Sequence, residues 1–338
     1  MKKTFFFSFL FTLLIIGVLP ALSSAQTTNT ATPNLNDQFL QISLSPDNPE
    51  PGQNYSATIS SYVFDLDRST IRWYVNGQLK KEGSGLKVFY DQAGKSGVAT
   101  VIRAVATTQD NQTSEISATI VPASVDLIYE AYSYVPPFYK GKALNVNQGS
   151  VILAAIPNIM QNGTKIAAQK LVYTWKKDGT VQGSFSGVGK NTFSFNGSVP
   201  IRDVEIEVSV SSPDNSVTAS KSLTVPFVSP KILFYEDSPV YGTMFNRAIT
   251  QTVGLLTDEF SVKAFPYFFS AGFPQSSNLI YNWTMNGQGI ETPAVPNLVT
   301  FRQDTPGAGN ANVGLKISNT ARIFQFVENN FSILFQKQ

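Results

Sequence analysis

Apolar and polar side chains alternate with a period of two through many short runs of this 338-residue chain. Residues 204–210 are the cleanest case. Val204, Ile206, Val208 and Val210 fall on one face, and Glu205, Glu207 and Ser209 on the other, as in a half-buried strand. Residues 55–59, 116–120 and 260–264 read similarly, and further strands are predicted at 88–90, 98–106, 151–153, 193–195, 223–225, 299–301, 313–317 and 331–333. Gly, Pro, Asn and Asp punctuate these runs at close intervals, and no stretch carries a convincing helical period. The pattern predicts an all-β protein.

The three tryptophans of the chain share one local phrase. Trp73-Tyr74-Val75-Asn76-Gly77, Trp175-Lys176-Lys177-Asp178-Gly179 and Trp283-Thr284-Met285-Asn286-Gly287 all read Trp-x-x-Asn/Asp-Gly after a short apolar run. Asn-Gly and Asp-Gly favour the type I′ turn, whose central residues both need positive φ. A strand ending in that turn every hundred residues or so predicts tandem β-modules. A second repeat is independent of the tryptophans: Leu127-Ile128-Tyr129-Glu130 with Pro137 and Tyr139 parallels Leu233-Phe234-Tyr235-Glu236 with Pro239 and Tyr241.

These repeats divide the chain into a first module at 38–122, a second at 123–226 and a third at 227–338. Each is expected to be a β-sandwich with its Trp clamped between two sheets. Trp73, Trp175 and Trp283 are therefore the expected structural core. The joints are short and carry Pro122 and Pro226, which restrict bending, so a semi-rigid, elongated rod is expected. The modules resemble the bacterial immunoglobulin-like and PKD-like repeats of secreted surface proteins. PKD repeats carry Trp-Asp-Phe-Gly-Asp-Gly, which all three versions here lack, so the resemblance is to the broader immunoglobulin-like class. It implies three tandem immunoglobulin-like β-sandwiches.

The N-terminus reads as a secretory signal peptide over residues 1–25. Lys2 and Lys3 precede an apolar stretch at 5–19, then Pro20 and the small residues Ser23-Ser24-Ala25, with cleavage expected after Ala25. Residues 26–37 are too polar to pack and read as a flexible leader. No later segment is long and apolar enough to span a membrane, so secretion or surface association with no integral span after cleavage is expected. Without Lys2 and Lys3 the acidic and basic side chains are equal in number. That balance argues against nucleic acid as a partner.

The chain contains no His and no Cys. Ser-His-Asp and Cys-His catalysis, the usual zinc sites and thiol redox chemistry are thereby excluded. No cofactor is expected, and no enzyme. Asp65 and Asp67, in the loop before the Trp73 strand, form the most suggestive acidic pair for Ca²⁺. With few other acids nearby, turn capping with Arg68 or Arg72 as charge partner is the expected role. Glu205 and Glu207 read as a solvated strand face. Gly183, Gly187 and Gly189 open no helix and lack the N–H cradle a phosphate loop needs.

Aromatic residues give the best binding hint. Tyr129, Tyr132, Tyr134, Phe138 and Tyr139 cluster at the start of the second module, and Tyr267, Phe268, Phe269 and Phe273 in the third. Because alternation buries every second side chain, part of the latter run is a candidate binding surface. Core and inter-module packing is the competing use. The sequence thus points to an exported, non-enzymatic structural or adhesion protein. Its expected partners are an envelope or extracellular protein or a wall polysaccharide. The alternative is a carbohydrate-binding protein that uses the exposed aromatics of the third module.

Overall fold

The computed structural model describes residues 40–197, 202–255, 259–291, 293–304 and 307–335, which all belong to one compact unit. The expected signal peptide and leader lie outside these residues. No α-helix occurs among them; the helical turns are two short 3₁₀ segments, Ala168–Lys170 and Gly183–Phe185. None of their helices is long and apolar enough to cross a membrane.

In the first module Gln41–Ser45, Asn54–Ser60 and Val88–Gln92 form a three-stranded antiparallel sheet. Gln78–Ser84, Thr70–Val75, Thr100–Thr107 and Thr113–Ile120 form a four-stranded one against it. Alternation sends Tyr55, Ala57 and Ile59 inward from one sheet and Ile71, Trp73 and Val75 from the other, into a common core. The division into three and four strands follows from the turn. Asn76 and Gly77 take φ of 49° and 80°, the type I′ geometry whose twist matches its strands. A two-residue turn of that kind can only deliver the next strand beside the Trp strand, so Gln78–Ser84 joins the Trp sheet.

The second module repeats the plan. Ser124–Tyr132, Ser150–Asn158 and Thr192–Asn196 make one sheet. Val172–Lys177, Val204–Ser211 and Thr218–Val225 make the other, with the short strands Thr180–Val181 and Gly187–Val188 at its edge. In the third module Lys231–Ser238, Glu259–Tyr267 and Leu298–Arg302 face a sheet of Leu279–Met285, Gln288–Gly289, Gly309–Asn319 and Arg322–Phe335. Two strands are added to the plan. Gly242–Ile249 folds back on Lys231–Ser238 as an outer edge, and Thr252–Leu255 crosses over to run parallel with Arg322–Phe335. The shared opening phrases at 127–130 and 233–236 are thus equivalent first strands. Beyond them the chain diverges, with Tyr139 on a fold-back segment and Tyr241 at a hairpin tip.

All three indoles are buried between their sheets. Trp73 stacks on Phe89 at 5.4 Å between centroids, Trp175 lies 5.6 Å from Phe193, and Trp283 lies 6.0 Å from Phe234. Each ring thereby bridges the sandwich, and burial of a large aromatic stabilises by about 3 kcal/mol. Each indole N–H donates to a backbone carbonyl on the chain returning to the facing sheet: Trp73 to Leu86, Trp175 to Lys190 and Trp283 to Pro296, all at 2.9 Å. The polar tip is thus satisfied in the dry interior, where an unpaired donor would be costly. The chain is a tandem of three immunoglobulin-like β-sandwiches, held without any disulfide.

Candidate functional site

The joint between the second and third modules takes up Tyr134, Tyr139, Tyr267 and Phe268, four of the nine aromatic residues singled out in the sequence. The strand Glu259–Tyr267 ends there, and Phe268, at a φ of 63°, turns the chain out of the sheet. Across from it, residues 133–149 of the second module fold back from the first strand. Ser133 pins this segment through Leu144, donating to its carbonyl at 2.8 Å and accepting its N–H at 3.2 Å. Tyr134 then pairs with the third module through two backbone bonds of 2.7 Å, Tyr134 N to Phe269 O and Phe268 N to Tyr134 O. Asn145 forms a parallel bridge with Phe227, and its carbonyl accepts from Val228 N at 2.9 Å.

Between these segments lies a separate apolar core of Tyr134, Val146, Tyr235, Phe265, Tyr267 and Phe268. The phenol oxygens of Tyr235 and Tyr267 are 2.8 Å apart. Tyr139 packs edge-on against both Tyr267 and Phe268 at 5.9 Å. Burial pushes the Tyr134 hydroxyl up to about 12 and, together with the bond to Tyr235, pushes that of Tyr267 well above the ordinary phenol value. These groups stay neutral and act as packing and hydrogen-bonding elements.

The expected binding surface is corrected accordingly. Tyr267, Phe268 and Phe269 are 8%, 6% and 0% exposed, and among the four residues only Phe273, at 56%, presents its ring to solvent. Alternation fails as a guide because the strand ends at Tyr267. Tyr267 and Phe268 pack against residues 133–149, and past the positive φ at Phe268 the Phe269 ring enters the third module's own core instead of facing outward. The signal for this lay in the other aromatic cluster, whose Tyr134 and Tyr139 are the covering partners.

A polar network closes the same joint. The Gln325 side chain, fully buried, donates to Asn147 O and to Ser270 Oγ (2.7 Å) and accepts from Ser270 N (2.8 Å) and from Asn319 Nδ2 (3.1 Å). Phe324 N donates to Gln148 Oε1 at 3.3 Å, and Asn147 Nδ2 donates to Phe324 O at 3.4 Å. Nothing in local sequence marks Gln325, since its partners Asn147 and Ser270 come from two distant segments. The joint between the first two modules is smaller. Ser96 Oγ donates to Asn158 O at 3.4 Å, and Lys221 pairs with Glu50 at 2.9 Å.

Asp65 and Asp67 are turn carboxylates with ion-pair partners. Asp65 accepts from the Asp67 N–H at 3.1 Å and faces Arg68 at 3.6 Å, while Asp67 meets Lys87 at 2.9 Å. Among the described residues no cluster of acidic side chains could hold a metal ion. Glu207 pairs across its sheet with Lys176 at 3.0 Å.

No protein-family model matches the chain, and no curated protein matches it. Solved structures similar to it include fibronectin(III)-like modules of Clostridium thermocellum CbhA. These are 14% identical, at a TM-score of 0.27, over 55% of this chain and 94% of that one. Three N-terminal domains of the bacteriophage RB49 outer capsid protein Hoc are 15% identical, at 0.26, over 88% and 99%. The central fibronectin-III array of RIM-binding protein is 12% identical, at 0.28, over 88% and 96%. The fold itself is defined by the strand pairing.

Proposed function

We propose that this is an exported, non-catalytic structural or adhesion protein of the cell surface or extracellular space. Its sandwiches form a semi-rigid rod that presents loops and sheet faces to an envelope or extracellular protein or to a wall polymer. The observation that carries this reading is the second joint. A dedicated apolar core and the Gln325 network fix two modules against each other, an expense of sequence that independent beads on a tether would not require. Fixed spacing suits presentation of a surface at a distance, where function lies in loops and edges. The signal-like N-terminus supports export, and the lack of His and Cys supports a non-catalytic role.

The test uses the full chain expressed in a bacterial host with an intact export pathway. Mature protein starting at Gln26 in the envelope or medium, together with capture of an envelope component on the immobilised chain, is the expected outcome. Retention in the cytoplasm with the first 25 residues intact would overturn the assignment of location. The third-module aromatic platform of the alternative reading is not carried forward, because three of its four residues are covered.

A further inference from the structure

The outer face of the three-stranded sheet in the first module differs in chemistry from the face opposite. Directly paired residues of antiparallel strands project to the same side. The register therefore sets Ser45, Ser56 and Tyr90 in one row across the sheet and Asn54 and Gln92 in the next. The rows beyond continue with Ser43, Thr58 and Val88, then Gln41 and Ser60. None of the residues in these rows is charged. The outer face of the four-stranded sheet, by contrast, is crossed by the ion pairs Arg72–Glu82 and Arg103–Glu115.

A groove of about 580 Å³ lies over the two rows that hold Ser45, Ser56, Tyr90, Asn54 and Gln92, and Tyr55 and Asp91 complete its lining. Tyr90 is 72% exposed, so its ring stands beside the groove instead of packing into the core. The Gln92 amide donates to Gly52 O at 2.7 Å, which fixes the amide and leaves its oxygen open. Amides, hydroxyls and the single carboxylate of Asp91, next to one accessible aromatic face, match the two surfaces of a neutral pyranose: hydroxyls at the rim, C–H groups on the face. An anionic polymer would find no cation in this lining and would meet the Asp91 carboxylate.

We infer that this groove is a binding subsite for a neutral saccharide, with Tyr90 stacking on the sugar ring and Asn54, Gln92, Ser45 and Ser56 holding its hydroxyls. The inference deepens the proposed function by naming a ligand class for one presented face. It fails separately from that function, since export and joint rigidity are read by other measurements.

The test probes the full chain by calorimetry with cello-, manno- and chito-hexaose, and with hyaluronan as an anionic control. Saturable binding of at least one neutral hexasaccharide is expected. Tyr90→Ala and Asn54→Ala should each lower the affinity about tenfold. Tyr90→Phe should keep it, and so should Tyr62→Ala, which removes a 93% exposed ring outside the groove. Tyr90 and Asn54 are exposed, so an unchanged thermal transition confirms that the variants fold. Absence of neutral-sugar binding at about 10 mM would overturn the inference. So would binding indifferent to Tyr90→Ala, or preference for hyaluronan.

Discussion

Asn76 and Val101 hold each other by two hydrogen bonds of 2.9 Å, Asn76 N to Val101 O and Val101 N to Asn76 Oδ1. The same clasp joins Asp178 to Glu205 (2.8 and 3.2 Å) and Asn286 to Asn312 (2.8 and 2.9 Å). The turn residue therefore has two roles. It adopts positive φ, and its side chain accepts from the neighbouring strand, which explains Asn or Asp in preference to a second Gly. Asn76→Gly keeps the conformation and loses the acceptor, at a cost of about 1 kcal/mol. Asn76→Ala adds backbone strain for a total of about 2–3 kcal/mol. Urea unfolding of the first-module transition checks the order, Gly milder than Ala.

Gln325 supports a second expectation. Gln325→Ala strands Ser270 N and Asn147 O in a dry joint, so a loss of about 3 kcal/mol from the third-module transition is expected. Orientation between the second and third modules should also loosen, seen as wider scatter in residual dipolar couplings. An unchanged melt with unchanged couplings would show that the network does not hold the joint.

Alkaline pH should open the same joint. The Tyr134 hydroxyl is raised by burial from 10.0 to about 12. Between those values the unfolded chain has lost its proton while the folded one keeps it. Stability from this group is therefore complete below pH 10 and falls as pH rises toward 12. Tyr134→Phe removes that dependence, and a flatter pH–stability curve above pH 10 is the readout.

Tyr55 offers the converse case. Its hydroxyl is buried and finds no hydrogen-bond partner among the described residues. Tyr55→Phe keeps the ring and removes the stranded polar atom, so the first module should gain about 1 kcal/mol. A loss in thermal unfolding would reveal a bond to this oxygen.

Much of this architecture is legible in local sequence because it is local in origin. The strand at 204–210, the three Trp strands and their Asn/Asp-Gly turns are set by alternation and by turn chemistry acting over a few residues. The added strand Gly242–Ile249 is less legible, since a register irregularity between Tyr235 and Asp237 breaks the pairing that would mark it. Burial of Tyr267 and Phe268 is illegible for a different reason. It depends on residues 133–149, more than a hundred positions away. The groove beside Tyr90 likewise gathers Ser45, Asn54 and Gln92 from three strands, none distinctive alone.

The strand Arg322–Phe335 runs from the Gln325 joint to the parallel pairing with Thr252–Leu255 at the far edge of its sheet. One continuous segment thus serves as both hinge pin and closing seam. A fragment cut at 226/227 would bare the rings of Tyr267 and Phe268 and the amide of Gln325 together, creating a sticky wound where the intact chain has a seal. For anyone dissecting the molecule, the smallest well-behaved piece of its C-terminal part is expected to be the pair of modules from residue 123 onward.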